Sequence, residues 1–249
     1  MVELPTTRFV ILAVPRTGSN LLCTLLNSHP EILCHHEVFN PQGIYTALTH
    51  RNQILDLGSL QERDRNPLAF LDQVWQTGDG QRCIGFKWTR GQNEDVLRTV
   101  VGDRAVKKFV LRRCNRIKTY ISDKIAQQTQ QWEVYSKDDL HLPRPRIAAD
   151  KEELLAHIST NARFYGELLS SLRRMEQPHI ETTYEALFDK AEQRRLLEFL
   201  GICDLNFHLE AASVKQNPTD LRDSISNFAE FRESLCGSDL QPELNDPGM

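Results

Sequence analysis

Residues 8–26 read Arg8-Phe9-Val10-Ile11-Leu12-Ala13-Val14, then Pro15-Arg16-Thr17-Gly18-Ser19-Asn20, then Leu21-Leu22-Cys23-Thr24-Leu25-Leu26. The first block is a short, almost unbroken apolar run, the pattern of a strand buried on both faces. The third block is helical, and a helix is expected over Ser19–Ser28. Between them Gly18 permits a tight backbone approach, Thr17 and Ser19 supply hydroxyls, and Arg16 adds a cation with several donors. The free N–H groups of the helix start point into the same space, so the turn can cradle a phosphate. The same residues also describe a plain turn in which Ser19 caps the helix. The turn is not a Walker A loop, because the G-x-x-x-x-G-K-[ST] spacing and its metal-binding hydroxyl are missing, which disfavours a magnesium-dependent NTPase.

Outward from this unit, short apolar runs alternate with amphipathic stretches. Strands are expected at Ile32–Cys34, Arg82–Lys87, Val106–Leu111 and His179–Thr182. Helices are expected at Pro67–Gln76, Asn93–Val101, Asn115–Gln130, Lys151–Met175 and Ala191–Leu200, the last closed by Gly201. Trp132–Asp150, with Pro143 and Pro145, reads as a long exposed loop. Strands separated by helices imply an α/β fold with a mostly parallel sheet and helices on both faces, whose ligands bind at the carboxyl ends of the strands.

The 249 residues form one expected domain, 1–249, with a core from about 8 to 235. A hydrophobic fraction of 40% with 12 Gly and 11 Pro excludes disordered and fibrous classes. The longest apolar run, Phe9–Val14, is too short to span a bilayer. Glu3 stands where a signal peptide would carry positive charge, so no stable membrane insertion and a cytoplasmic location are expected. Six cysteines, Cys23, Cys34, Cys83, Cys114, Cys203 and Cys236, show no C-x-x-C pair. They read as reduced core residues, without a disulfide framework or a metal site. The net charge of −4 gives no reason to expect nucleic acid as a partner. A homodimer is left open.

One stretch departs from that negative total. From Arg104 through Lys118 there are seven cations and no acid. Arg116 and Lys118 read as a solvated helix face. Arg113 differs in standing at a strand's carboxyl end, with Ser122 nine residues later on the next helix. A planar guanidinium and a hydroxyl make a sensible grip on a second phosphate.

These residues resemble the sulfotransferases that use 3′-phosphoadenosine 5′-phosphosulfate (PAPS). Val14-Pro15-Arg16-Thr17-Gly18-Ser19-Asn20 looks like the family's P-[RK]-[ST]-G-[ST] loop, which implies that Arg16, Thr17, Gly18, Ser19 and Asn20 hold the 5′-phosphosulfate. Arg113 and Ser122 match the 3′-phosphate ligands. Their spacing resembles the bacterial branch that sulfates glycolipids such as trehalose lipids. Thr183-Tyr184-Glu185-Ala186-Leu187 resembles the segment whose Tyr184 approaches the adenine, and Lys215 through Arg222 looks like the segment that closes over the cofactor. The resemblance implies a three-layer, P-loop-like fold, PAPS as donor, adenosine 3′,5′-bisphosphate as product, no metal, and a small-molecule, carbohydrate or lipid acceptor.

On the acceptor side the resemblance singles out Glu37, in Cys34-His35-His36-Glu37, as the base, with His36 as runner-up. Gly85-Phe86-Lys87 resembles the strand end whose lysine assists the leaving phosphate, beside Arg16. A loop at 40–64 and a lid at 127–150, carrying Trp132, Tyr135 and His141, are expected to shape the acceptor pocket. A small-molecule kinase would show a Lys-[Ser/Thr] pair in the loop and a magnesium carboxylate. A non-catalytic nucleotide- or RNA-binding domain would interleave aromatics with the cations at 104–118, near which only Phe109 and Tyr120 lie.

Overall fold

The computed structural model describes residues 6–50 and 57–245, so residues 51–56 of the loop expected at 40–64 lie outside the described residues. In chain order the elements are β1 (Thr7–Ala13), α1 (Ser19–Asn27), β2 (Ile32–His35), α2 (Leu60–Arg65), α3 (Pro67–Val74), β3 (Cys83–Thr89), α4 (Glu94–Gly102) and β4 (Val106–Arg112). They continue with α5 (Arg116–Thr129), α6 (Lys151–Arg174), β5 (His179–Thr183), α7 (Lys190–Leu200) and α8 (Phe228–Ser234). The five strands form one sheet in the order β2-β3-β1-β4-β5, every pairing parallel.

Alternation along β1 assigns its two faces. Val10, Leu12 and Val14 pack with Phe86, Trp88 and Val110 beneath α3, α4 and α6. Phe9, Ile11 and Ala13 pack with Phe109 and Leu111 beneath α1 and α7. An apolar run without polar interruption is what a strand with both faces covered requires. Each of these large side chains contributes about 1.5–3 kcal/mol by leaving water. Gly85 is opposite Phe9 in the register, and a Cβ there would meet the Phe9 ring at 2.5 Å. A third cluster joins Ile117, Tyr120, Ile121 and Ile125 of α5 to Leu221, Ile225 and Phe231, holding the chain after 213 against α5.

Three expectations are corrected here. β3 runs two residues past Lys87, to Thr89, so Lys87 stands inside the strand with a buried side chain and not at its exposed end. The short helix α2 was not expected; its apolar content is low and a Ser59–Glu62 capping box holds it. Of the six cysteines only Cys23, Cys34 and Cys83 are core residues, while Cys114, Cys203 and Cys236 are exposed; all six are free thiols. Among the described residues, no helix is long and apolar enough to cross a membrane and no group of His, Cys, Asp and Glu is placed to hold a metal ion.

Candidate active site

The strand order reverses around β1, and the crevice at its carboxyl end is where an open parallel sheet binds ligands. Tyr165 of α6 ties the two central strand ends together: Val14 N–H donates to its hydroxyl oxygen at 3.0 Å and its O–H donates to Leu111 O at 2.6 Å. From this fixed point the chain turns through two left-handed residues, Arg16 (φ 67°) and Gly18 (φ 90°). Gly18 stands at the N-cap of α1 and has no side chain to cap with. The helices α2 to α7, by contrast, are capped by Ser59, Asn66, Asn93, Asn115, Asp150 and Asp189. With no carboxylate in its first turn either, α1 presents its amides and dipole to an anion from outside the chain.

A Cβ at Gly18 would come within 2.4 Å of the Tyr184 ring. Gly18→Ala combines that clash with a left-handed backbone that costs a non-glycine residue about 1 kcal/mol. It is expected to destabilise the fold by about 2 kcal/mol, a fall in Tm of roughly 4–8 °C for a chain of this size. Calorimetry checks this, and an unchanged Tm would show that the loop is not packed on Tyr184.

The uncapped helix end forms one wall of a cavity of about 250 Å³, together with Arg113, Lys118, Ser122, Tyr184 and residues 213–219. Cations crowd it. The Arg113 guanidinium lies 4.7 Å from the centre of the Tyr184 ring, and its Nη1 donates to Arg16 O at 3.4 Å. Arg16 donates through Nε to Ser122 Oγ (2.9 Å), through Nη1 to Trp132 O (2.5 Å) and through Nη2 to Gln216 Oε1 (3.1 Å). Burial, then the neighbouring Arg113 and Arg144, push the Arg16 pKa down to about 10 against the opposing pull of Asp123. Lys215 is shifted down as well, by burial and then by Arg113. Cations that raise one another's energy in a recess mark a site that an anion would relieve.

Arg16, Ser19, Asn20 and Trp132 also line a second cavity of about 570 Å³, on the β2–β3 side. Lys87 Nζ donates to Asn20 Oδ1 and pairs with Glu37 Oε1 at 2.9 Å, while Glu37 Oε2 accepts from Asn40 Nδ2 at 2.6 Å. Burial alone would raise the Glu37 pKa, but Lys87 and the Asn40 hydrogen bond outweigh it and hold the carboxyl below its usual range. His36 is fully buried beside it, with Nδ1 3.2 Å from the Tyr135 hydroxyl. The two cavities share a wall only as thick as the phosphate loop.

Arg16, Gly18, Ser19, Asn20, Arg113, Ser122, Tyr184 and Lys215 are thus gathered around the first cavity, and Arg16, Ser19 and Asn20 face the second as well. Glu37, His36 and Lys87 line the second, along with Trp132 and His141. Thr17 is the exception: its hydroxyl donates to Val14 O at 2.8 Å and its side chain faces Tyr165 on the far side of the loop, so it offers the cavity no hydroxyl donor. Arg222 pairs with Asp220 at 3.6 Å, outside the cavity wall. Lys118, expected on a solvated face, is instead buried in the wall. It precedes Ser122 by four residues, one helical turn on the same face, a spacing that could have placed it there. Gln216 and Asn217 were missed as contacts of Arg16 and Ser122, since amides leave no charge signal.

No family model matches the chain. Nodulation protein H of Rhizobium tropici is similar to it, 27% identical over 237 residues that cover 92% of this chain and 89% of that protein. Nodulation protein H of Rhizobium meliloti (strain 1021) is 25% identical over 234 residues, covering 92% and 91%. Among solved structures, a sulfotransferase from Alicyclobacillus acidocaldarius shares the fold, with a TM-score of 0.51 at 18% identity over 97% of this chain and 99% of that one.

Proposed function

We propose that this protein is a sulfotransferase that moves the sulfuryl group of PAPS to an acceptor hydroxyl. The observation that carries the reading is the shared wall: the uncapped, cation-crowded helix end at Arg16–Asn20 separates a recess lined by Arg113, Lys118 and Lys215 from a cavity holding the Glu37–Lys87 pair. The fold is also that of the Alicyclobacillus sulfotransferase. In this reading Arg16, Gly18, Ser19 and Asn20 hold the 5′ end of the donor, Arg113, Ser122 and Lys118 its 3′-phosphate, and Tyr184 its base. Glu37 takes the hydroxyl proton as the acceptor oxygen bonds to sulfur. Arg16 and Lys87 meet the charge left on the 5′-phosphate as the bridging S–O bond breaks.

For the acceptor we favour a carbohydrate or a glycolipid. Support comes from the nine-residue Arg113–Ser122 spacing of the glycolipid branch and from a second cavity walled by the amides of Asn40, Gln92, Gln130 and Gln131 beside Trp132. Six free thiols fit a reducing, cytoplasmic setting. A kinase reading is weaker because Ser19-Asn20 stands where its Lys-[Ser/Thr] pair belongs. A purely nucleotide-binding role leaves the carboxylate–lysine pair without work.

Adenosine 3′,5′-bisphosphate in excess EDTA should raise Tm by roughly 5–10 °C at about 100 times its Kd. No shift with this nucleotide, together with stabilisation by magnesium-ATP, would overturn the reading. Incubation with PAPS and a host extract, followed by mass spectrometry for products heavier by one sulfuryl group, identifies the acceptor.

A further inference from the structure

The segment after α5 brings two side chains, Glu133 of the second cavity's wall and Tyr135, to His36 at the end of β2. Tyr135 Oη lies 2.7 Å from Glu133 Oε2 and 3.2 Å from His36 Nδ1, and the Tyr135 ring meets the His36 ring edge-on at 5.7 Å. Counting protons fixes the direction of this chain. A carboxylate only accepts and tyrosine has a single hydroxyl proton, so that proton goes to Glu133, and the tyrosine oxygen accepts from Nδ1–H of His36. Neutral His36 is thereby held as the Nδ1–H tautomer with Nε2 unprotonated. Nε2 is buried, and the Cys23 thiol interacts with the same ring.

The backbone of the same segment is tied to the other cavity. Trp132 O accepts from Arg16 Nη1 and, at 3.2 Å, from Gln216 Nε2, and Val134 O accepts from Val214 N at 2.9 Å. His36 O in turn accepts from Lys87 N at 3.1 Å, so the ring is seated on the strand ends that carry the Lys87–Glu37 pair. Residues 132–135 are pinned by carbonyls to the donor side and by side chains to the residue before Glu37.

We propose that Glu133 and Tyr135 are positioning residues for sulfuryl transfer: by fixing the His36 tautomer and pinning the lid, they hold the end of β2 where Glu37 meets the acceptor hydroxyl. The role rests on the sulfotransferase reading; its first test does not. Imidazole ¹⁵N spectra should show His36 as the Nδ1–H tautomer in the wild type, with the Nδ1–H resonance shifted in Tyr135→Phe, which keeps the ring edge and removes the oxygen but leaves Glu133 Oε2, 3.7 Å away, to attract that proton. Hydrogen exchange over 131–135 should speed up about tenfold in that variant, the loss of one buried hydrogen bond, while the Kd of adenosine 3′,5′-bisphosphate stays within about twofold.

With the acceptor found by the product screen, Tyr135→Phe should lower kcat/KM for the acceptor about tenfold or more and leave the KM for PAPS unchanged. Glu133→Gln, whose amide oxygen can still accept, should lose less. A general loosening of the fold would shift both KM values together and overturn the role, as would an Nε2–H tautomer in the wild type. Failure to bind adenosine 3′,5′-bisphosphate removes the sulfotransferase reading and the role with it, while the tautomer assignment stands.

Discussion

Glu37→Gln is expected to lower turnover by about 10²–10⁴-fold, the contribution of a well-placed general base, while leaving the affinity for adenosine 3′,5′-bisphosphate unchanged. The split follows from the architecture. Glu37 opens on the acceptor cavity and touches the donor side only through Lys87, whose ammonium Asn20 also holds. The amide of Gln keeps the volume but has one acceptor oxygen for the two donors Asn40 and Lys87, so some stability is lost as well, and calorimetry of the variant separates that loss from the fall in turnover of the folded enzyme. Lys87 and Asn40 hold the carboxyl below its ordinary range, which has a sign consequence: the base is lost only as pH falls through that depressed value. The acid limb of kcat should therefore lie below the ordinary carboxylate range and move up toward it in Lys87→Met. The depressed value also makes Glu37 a weak base at rest, so Lys87 must shift its interaction toward the leaving phosphate as charge develops there. Unchanged turnover in Glu37→Gln with a verified acceptor removes it as the base.

What the sequence showed and hid about this site divides along one line. The strand–turn–helix at 8–28 was legible because its signals are local: an apolar run of period-two geometry, a glycine and a helical repeat, all adjacent. The acid-free stretch at 104–118 was legible as charge and misleading as function. Its neutralising acids come from far along the chain: Glu181 pairs with Arg112 at 2.5 Å, Glu176 with Arg104 at 3.6 Å, and Glu243 and Asp239 with Arg116 at 2.6 and 3.0 Å. Lys107 donates to Phe199 O at 2.7 Å, and the buried Lys108 to Gln177 Oε1 at the same distance. Only Arg113 and Lys118 reach the donor cavity. A linear reading can single out Arg113 by its place at a strand end, but it cannot see which of the other six cations the fold has already paired, and so it misplaces Lys118. The Thr17 hydroxyl is hidden from a linear reading for a related reason, being taken by a backbone carbonyl three residues away. Arg16, in a left-handed turn, lines both cavities.

Arg113→Ala is expected to raise the Kd of adenosine 3′,5′-bisphosphate by about 10- to 150-fold, the loss of one charged hydrogen-bond partner at about 1.5–3 kcal/mol, with a smaller effect on the stability of the free protein. The second half of that statement comes from the crowding of charge. Arg113 depresses the pKa of both Arg16 and Lys215, so its removal relieves a repulsion in the free state. The variant also loses the contacts Arg113 makes with the Tyr184 ring and with Arg16 O, so the two effects oppose each other in the free protein, whereas the attraction to phosphate is felt only in the complex. Arg113→Lys should fall between the two, since an ammonium keeps the charge but loses the planar fork and the seat on the Tyr184 ring at 4.7 Å. The control that separates phosphate recognition from a general defect is adenosine 5′-monophosphate, which lacks the 3′-phosphate. If Arg113 reads that group, the wild type prefers the bisphosphate and Arg113→Ala loses most of the preference, with little change in the weaker binding of the monophosphate. If Arg113 only props Tyr184 against Gly18, both nucleotides weaken by the same factor, and the 3′-phosphate must then be held by Lys118 and Ser122 alone.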